Sequence, residues 1–305
     1  PKVWKDKDNY FMALGGRKKN DQGAVLIYRS ENLKNWSYDR EITTEEPFGY
    51  MWECPDVFEI EGQQVLSISP QGLKREEYRF QNIYQSGYFL MKNEIADVKE
   101  FQEWDMGFDF YAPQTFEDVK GRRILIGWMG LPDVEDEYTN PTVEKEGWQH
   151  CLTVPREIRL HNGRLYQYPV EEIKRLRGRS CRIDETQENV ETCRPFELDM
   201  KLDAEKLRVA VGTELILEAD GSKVCLNLSE EAGAGRKRRN AIIPSGRLKE
   251  IRMLVDTTAV EIYLNHGEVV FSTRYYPEKM SQIVKLEAEK FQGYIYDLKE
   301  MTGIK

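Results

Sequence analysis

Three short segments of this chain share one pattern, a proline followed three positions later by an aromatic residue, and each leads into a β-rich run. They lie at residues 1–4, 55–58 and 113–116, and a polar turn and a second apolar run follow each of them. A repeat of about 50 residues made of short strands is typical of the blades of a β-propeller. Because the innermost strand of every blade faces one central funnel, we expect equivalent positions of the repeats to converge there.

Size and composition indicate a folded protein with two domains. The chain has 305 residues, of which 40% are hydrophobic and 32% are charged, as is typical of globular proteins. All six tryptophans lie in the first half, none beyond Trp148. The net charge of −9 argues against nucleic acid or an anionic membrane as a partner, since a phosphate backbone requires a basic surface. We interpret the basic run at residues 236–239 as a solvated hairpin tip.

The cysteines and histidines do not indicate a disulfide framework, a metal site or a cofactor. The five cysteines are odd in number and none is spaced as Cys-x-x-Cys, which favours free thiols in a reducing, cytoplasmic compartment. The three histidines are far apart in sequence, so we expect no metal. The sequence has neither a Walker motif nor a dinucleotide fingerprint, so we expect no cofactor.

The chain is expected to divide into three parts. Residues 1–168 contain the repeats and form a partial β-propeller. Residues 169–180 begin with a proline, carry acids and then bases, and include Gly178, which is typical of a short helix. We interpret this helix as a linker. Residues 181–305 alternate between apolar and polar positions around hairpin turns, which predicts an antiparallel β-sandwich with a structural role.

Glu53 is the first candidate for a catalytic group. It stands between Trp52 and Cys54, two positions before the second repeat proline. Apolar neighbours disfavour the charged form of a carboxyl group, so we expect a raised pKa and the role of a general acid. The alternative is a strand-end carboxylate that faces water. The repeat favours the catalytic interpretation because it directs Glu53 toward the funnel.

Three further residues are candidates for substrate contact in the same funnel. Asp109 and Tyr111 precede the third repeat proline as Glu53 precedes the second. Trp128 ends a strand among small residues, and its flat ring suits stacking on the face of a sugar. The alternatives are a turn residue for Asp109 and core packing for Tyr111 and Trp128.

Four segments carry ordered motifs: PKVW at 1–4, MWECPD at 51–56, FDFYAPQ at 108–114 and GWQHCLTVPRE at 147–157. Together they resemble glycoside hydrolase family 32, the invertases, sucrose-6-phosphate hydrolases and fructanases. The second segment resembles the family's acid/base motif, and the first looks like the tail of its Arg-Asp-Pro motif. Residues 260–277 are similar to its C-terminal sandwich, so the resemblance covers nearly the whole chain.

The resemblance implies a five-bladed β-propeller followed by a β-sandwich. It also implies a retaining mechanism with two carboxyl groups about 5 Å apart, in which an aspartate attacks fructose and Glu53 is the acid/base. The implied reaction is hydrolysis of β-fructofuranosides such as sucrose or sucrose 6-phosphate, with release of fructose. The residues expected to bind substrate are Trp52, Cys54, Asp109, Tyr111 and Trp128.

The sequence departs from the family pattern at its start. The Asn-Asp-Pro-Asn-Gly motif that holds the family's nucleophile does not occur in the 305 residues, and the Arg and Asp of Arg-Asp-Pro would come before Pro1. We interpret the chain as an N-terminally truncated member with about three of five blades. An open propeller exposes strand edges, so we expect the chain alone to be unstable, oligomeric or inactive.

Two other functions are compatible with the same residues. One keeps the fold and changes the substrate, as in a propeller glycosidase that acts on arabinan or xylan. The other is a non-catalytic sugar-binding propeller, which the missing carboxylates favour. In each case the expected partner is a sugar, without nucleic acid or a membrane, and a homo-oligomer is compatible with all three.

Overall fold

The computed structural model describes residues 1–134 and 137–301, and strands form most of its regular structure, so the predicted all-β class is confirmed. The strands of the first half are β1 (Lys2–Asp6), β2 (Asn9–Arg17), β3 (Gly23–Ser30), β4 (Ser37–Thr44), β5 (Met51–Ile60), β6 (Gln63–Gln71), β7 (Gly87–Met91), β8 (Ile95–Ala96), β9 (Gln102–Glu103), β10 (Tyr111–Glu117), β11 (Arg123–Met129), β12 (Cys151–Leu152), β13 (Arg156–His161) and β14 (Arg164–Pro169).

The strands of the second half are β15 (Arg177–Asp184), β16 (Asn189–Cys193), β17 (Phe196–Leu202), β18 (Lys206–Val211), β19 (Leu215–Asp220), β20 (Lys223–Leu228), β21 (Arg238–Ile242), β22 (Glu250–Val255), β23 (Ala259–Leu264), β24 (Val269–Arg274), β25 (Ser281–Ala288) and β26 (Phe291–Leu298). The helices are short. They are α1 (Thr142–Glu146), α2 (Glu230–Gly233) and the 3-10 helices Val98–Glu100, Glu171–Leu176 and Asn265–Gly267.

The first half consists of three sheets, and each begins with a strand from one of the proline repeats. The first sheet has the order β1-β2-β3-β4-β8, and the second has the order β5-β6-β7-β9. The third has the order β10-β11-β13-β14, with β12 paired to β11. The repeat strands β1, β5 and β10 each form one edge of their sheet, so the repeat found in the sequence corresponds to a repeat of sheets.

The three edge strands β1, β5 and β10 meet around the buried carboxylate of Asp56. Thr115 donates its backbone N–H and its hydroxyl to Asp56 Oδ2, at 2.6 and 2.8 Å. The Lys2 ammonium lies 3.2 Å from Asp56 Oδ1 and also donates to the carbonyl oxygen of Thr115. Because Asp56 has no exposed surface, its charge requires such partners. The equivalent strands of the three repeats therefore converge.

The second sheet lies between the other two and packs on both of them. One core joins the first and second sheets and includes Ala13, Val25, Ile27, Val57 and Leu66. Another core joins the second and third sheets and includes Phe58, Val65, Tyr88, Leu125 and Ile158. Each large apolar side chain contributes about 1.5–3 kcal/mol when it is fully buried. These cores fix the angle at which successive sheets meet.

The second half is a pair of six-stranded antiparallel sheets that face each other. The fourth sheet has the order β15-β26-β17-β22-β23-β24, and the fifth has the order β16-β25-β18-β19-β20-β21. Strand β19 alternates between buried and less buried positions, as expected when one face of a sheet is covered. The core between the sheets includes Leu198, Met200, Val209, Leu217 and Ile262.

The outer face of the fourth sheet packs on the third sheet, which explains why β22 and β24 are buried at every position. The core at this contact includes Ile124, Val170, Ile173, Tyr263 and Val270. The segment interpreted as a linker contains the 3-10 helix Glu171–Leu176, and strand β15 follows it directly. The domain limits at residues 168 and 181 stay a prediction.

Arg156 of the third sheet forms a fully buried cluster with the fourth sheet. Its Nη2 lies 2.5 Å from Glu261 Oε2, and its Nε donates to the Tyr263 hydroxyl at 2.9 Å. Nη2 donates to Ser272 Oγ at 2.6 Å, and Nη1 lies 3.2 Å from Asp105 Oδ2. Burial raises the pKa of Asp105, although Arg156 opposes that shift. A buried guanidinium requires these partners to offset its lost hydration.

The interpretation of residues 236–239 as a solvated hairpin tip is wrong for two of the four residues. Arg236 and Arg239 are buried, whereas Lys237 and Arg238 are exposed. Arg236 forms two hydrogen bonds with Asp109, and Arg239 donates to Asn82 Oδ1 at 2.6 Å. Arg236 precedes strand β21 and Arg239 lies within it, and both side chains point toward the first half. There, the buried carboxylate of Asp109 requires a positive partner.

All five cysteines are free thiols. Within residues 1–134 and 137–301, none of the helices has the length and apolar character of a membrane span. Over the same ranges, the His, Cys, Asp and Glu side chains form no group of three that could ligate a metal ion.

The Arg156 cluster leads to a prediction about stability. Arg156→Ala leaves the carboxylate of Glu261 buried without its counter-charge, so we expect the free energy of unfolding to fall by about 3–5 kcal/mol. Arg159→Ala is the control because Arg159, on the same strand, is exposed and pairs with Glu157 at 2.9 Å; its effect should stay within about 0.5 kcal/mol. Urea unfolding followed by tryptophan fluorescence measures both, and equal effects would contradict this role of Arg156.

Candidate active site

Strands β5 and β10 carry the same irregularity just before their proline. Cys54, which precedes Pro55, has a φ of 47°, and the pairing register of β5 shifts between Glu53 and Asp56. Ala112, which precedes Pro113, has a φ of 49°, and the register of β10 also shifts there. Proline cannot donate to a strand ladder and is found at such bulges, which re-aim the neighbouring side chain. The repeat therefore includes a shared bulge that composition and spacing did not reveal.

The residues that precede the two bulges contact each other. The hydroxyl of Tyr111 donates to Glu53 Oε2 at 2.8 Å. Burial, and next the hydrogen bond to Glu53, raise the pKa of Tyr111, so its phenol stays protonated and acts as the donor. Tyr111 is buried and Glu53 is partly exposed. The expectation that these two repeat positions converge is met, and the carboxyl group remains within reach of a ligand.

Two further tyrosines, Tyr84 next to Tyr111 and Tyr50 next to Tyr84, lie at the candidate site. The ring of Tyr84 lies 6.2 Å from that of Tyr111, and its hydroxyl is 3.4 Å from the hydroxyl of Tyr50. Tyr84 donates to Asp133 Oδ2 at 3.0 Å, and the guanidinium of Arg17 lies 4.9 Å from the ring of Tyr50. The hydrogen bond with Tyr50 is the largest cause of the raised pKa of Tyr84. Sequence reasoning missed these residues because they lie outside the repeat; only Tyr50, next to the MWECPD motif, offered a signal.

Trp52 and Cys54 flank Glu53 but have different surroundings. Trp52 is fully buried, and its indole N–H donates to the carbonyl oxygen of Phe48 at 2.7 Å. Successive side chains of a strand point to opposite faces, so Trp52 packs in the core when Glu53 faces outward. This placement does not support direct substrate contact by Trp52. Burial raises the pKa of the Cys54 thiol, while part of that side chain reaches solvent.

Asp109 is a buried anchor and does not face an open funnel. Its two carboxylate oxygens accept from Arg236 at 2.6 and 2.7 Å, and Oδ2 also accepts from the backbone N–H of Arg274 at 2.8 Å. Burial by itself would raise the pKa of Asp109, but the charge and hydrogen bonds of Arg236 lower it overall. With its oxygens occupied, Asp109 fixes the backbone two residues before Tyr111. The predicted contact with substrate is not supported by this position.

Trp128 lies at the edge of the candidate site. It is the cross-strand partner of Tyr111, and its ring meets that of His150 edge to face at 4.7 Å. Burial, and next the charge of Arg274, lower the pKa of His150, so its imidazole is neutral at pH 7. Trp128 is partly exposed, and its stacking on a sugar stays a prediction.

Models of known protein families match both halves of the chain. The model of the glycosyl hydrolases family 32 N-terminal domain matches residues 1–169, and the model of the family 32 C-terminal domain matches residues 218–299. The chain belongs to glycosyl hydrolase family 32. The resemblance inferred from the motifs is thus confirmed.

Individual relatives cover nearly all of this chain. A sucrose-6-phosphate hydrolase of Bacillus subtilis (strain 168) is 36% identical over 296 residues, which are 91% of this chain and 61% of that protein. One from Staphylococcus xylosus is 34% identical over 99% of this chain and 66% of its own length. The solved Bombyx mori GH32 β-fructofuranosidase BmSUC1 is 31% identical, with a TM-score of 0.83 over 98% of this chain and 65% of that one. This family 32 chain therefore spans less than two thirds of the length of these relatives.

The position of Glu53 depends on a close approach between the first and second sheets, which leads to a prediction. A Cβ on Gly15 would overlap the carbonyl oxygen of Trp52, whereas the nearest atom to a Cβ on Gly16 is the carbonyl oxygen of Ala24, at 3.9 Å. Gly15→Ala must shift β5, so we expect a loss of about 1–3 kcal/mol or more in unfolding free energy. Gly16→Ala is the matched control and should change it by less than about 1 kcal/mol. Thermal unfolding of both variants measures the two losses of stability. Equal losses would show that the contact between Gly15 and Trp52 does not restrict how the two sheets pack.

Proposed function

We propose that this chain is the acid/base-bearing part of a retaining β-fructofuranosidase that hydrolyses sucrose or sucrose 6-phosphate and releases fructose. The observation that carries the proposal is the carboxyl group of Glu53, partly exposed beside the meeting point of three repeat strands and oriented by the Tyr111 hydroxyl. The names of the relatives support the substrate class, since several are sucrose-6-phosphate hydrolases. A mutant form of the Bombyx mori relative was solved in complex with sucrose.

In the proposed mechanism, Glu53 moves one proton in each half of the reaction. The protonated carboxyl gives its proton to the glycosidic oxygen while a carboxylate nucleophile attacks the anomeric carbon of fructose. Glu53 then takes a proton from the water that releases the fructosyl group. The hydrogen bond from Tyr111 occupies Oε2, so we assign the transferred proton to Oε1.

The nucleophile of this mechanism is not assigned to a residue of this chain. Nearby carboxylates already have partners: Asp56 is paired with Lys2, and Asp109 is paired with Arg236. The family's Asn-Asp-Pro-Asn-Gly motif does not occur in the 305 residues. The same observation favours the second candidate function, a sugar-binding propeller without catalysis, and activity measurements on the complete protein separate the two.

We further propose that the three sheets of the first half are blades of a five-bladed propeller and that the fourth and fifth sheets are the C-terminal sandwich. Support comes from the convergence of β1, β5 and β10 and from an exposed apolar row on one face of the first sheet. The row is formed by Val3, Met12, Tyr28 and Tyr38, of which Val3 and Tyr38 are exposed. A further blade would cover this face.

The remaining assignments follow from charge and chemistry. The proposed ligand is a small sugar, which suits the aromatic and polar wall around Glu53. The net charge of −9 disfavours nucleic acid and anionic membranes as partners. Free thiols at all five cysteines suit the reducing cytoplasm that we propose as the location.

The acid/base role of Glu53 predicts a large kinetic effect. In the complete protein that contains this chain, Glu53→Gln removes the transferable proton, and turnover of sucrose or sucrose 6-phosphate should fall by about 10²–10⁴-fold. The melting temperature should stay nearly constant because Glu53 is partly exposed. Glu59→Gln is the control, since Glu59 is an exposed carboxylate on the same strand. A loss of only a few-fold in the Glu53 variant would remove Glu53 from this role.

The exposed apolar row predicts how the 305 residues behave on their own. Because apolar faces of this kind favour association, we expect oligomers in size-exclusion chromatography with light scattering, and no sucrose hydrolysis. Tyr38→Lys places a charge on the exposed row and should shift the population toward monomer. Leu33→Lys is the control because Leu33 is exposed in the connection between β3 and β4 and is not part of that row. A stable, active monomer would contradict the proposed open propeller.

A further inference from the structure

Arg274, the last residue of β24, has unused hydrogen-bonding capacity in a buried position. Its Nε donates to the carbonyl oxygen of Thr258 at 3.1 Å, but Nη1 and Nη2 have no hydrogen-bond partner among the described residues. The residue has no exposed surface. Trp148 and Tyr276 flank the guanidinium, with ring centroids at 5.1 and 5.2 Å. Donors buried without partners are costly, and such groups often mark the site of an ion.

The surroundings of Arg274 leave an excess of positive charge. The neighbouring carboxylate is Asp109, which already accepts two hydrogen bonds from the Arg236 side chain. Against the effect of its burial, the charges of Arg236 and Arg274 both lower the pKa of this carboxyl group. The lowered pKa of His150, caused first by burial and then by Arg274, is consistent with this local potential.

Arg252 is another buried arginine of the same sheet, but its surroundings carry the opposite charge. Its Nη1 and Nη2 also lack partners among the described residues, and it is fully buried. Its environment is acidic, however, because its Nε lies 2.5 Å from Glu197 and its cross-strand partner is Asp199. An anion would be repelled at Arg252 and attracted at Arg274.

Arg274 is also connected to the candidate active site through Asp109 and Tyr111. Its backbone N–H donates to Asp109, which precedes Tyr111 by two residues, a chain span of at most about 7 Å. His150, whose pKa responds to Arg274, packs on Trp128, and Trp128 is the cross-strand partner of Tyr111. These contacts connect Arg274 to the start of β10, which carries Tyr111.

Trp148 lies between the Arg274 guanidinium and solvent, and a ligand would have to enter past it. Its side chain is 37% exposed, and its indole N–H donates to Glu146, an exposed residue, at 2.9 Å. A rotated indole would uncover one side of the Arg274 guanidinium, and Tyr276 would still lie on it, with its ring centroid at 5.2 Å. The planar guanidinium can then present two parallel N–H donors to a phosphate.

We propose that Arg274 receives the phosphate group of a phosphorylated sugar and thereby sets the preference for sucrose 6-phosphate over sucrose. This inference rests on the proposed function, because it names the substrate class of that site. It assigns a specificity role to a residue of the second half, where the sequence indicated only structure.

The first test compares two substrates in the complete protein. We expect Arg274→Gln to lower kcat/KM for sucrose 6-phosphate by about 10- to 100-fold and to leave kcat/KM for sucrose within about twofold. Arg252→Gln is the control matched for burial and should leave the ratio of the two values unchanged. If Arg274→Gln leaves the ratio of the two kcat/KM values unchanged, even with an equal loss on both substrates, the proposal is overturned.

A binding measurement separates this inference from the proposed function. Glucose 6-phosphate and glucose are titrated into the complete protein by calorimetry, which requires no catalysis. If neither sucrose nor its phosphate is hydrolysed, the proposed function fails. Binding of glucose 6-phosphate that is weakened in Arg274→Gln and retained in Arg252→Gln would still support the anion site, and absence of that binding would refute it.

Should Arg274→Gln fail to fold, Arg274→Lys keeps the charge without the planar fork and should weaken the binding of glucose 6-phosphate several-fold. Unchanged binding in Arg274→Lys would count against the site.

Discussion

Two buried arginine–carboxylate pairs connect the halves of the chain. Arg156 extends from the third sheet to Glu261 of the fourth, and Arg236 extends from the second half to Asp109 of the first. Each is enclosed and cannot be hydrated, so each requires buried partners, and the nearest carboxylates, Glu261 and Asp109, belong to the opposite half. The two halves therefore depend on each other, and the core of the sandwich includes Phe108 and Tyr111 of the first half. Because of these pairs, the second half contributes to the position of residues at the candidate active site.

The Arg236–Asp109 pair also connects the sandwich to Glu53. Asp109 lies just before β10, and its fixed position determines where Tyr111 begins that strand. Tyr111 in turn donates to Glu53 across to β5. The two bulges before Pro55 and Pro113 orient both side chains toward the same place. The geometry of the carboxyl group is thus set by contacts that extend from the sandwich through the third sheet to the second.

Sequence reasoning identified the pair Glu53 and Tyr111 because a repeat is visible in one dimension and equivalent positions converge. It failed to place Trp52, whose apolar side chain joins the core once strand alternation turns Glu53 outward. Asp109 occupies the right region but is used for an ion pair, since a residue 127 positions away supplies Arg236. Tyr84 and Asp133 approach from loops outside the repeat, and no spacing in the sequence connects them to Glu53.

The sequence by itself determined the all-β class, the family and the acidic residue at the repeat, because proline position, strand alternation and local motifs are properties of short segments. The tertiary structure decided which polar side chains are available to a ligand and which are used to join the two halves. That division depends on burial and on the partner each charge finds, and both arise only when distant segments pack together. The basic run at 236–239 illustrates the difference. Its charges are evident in the sequence, but the folded chain determines that two of them are buried against the first half.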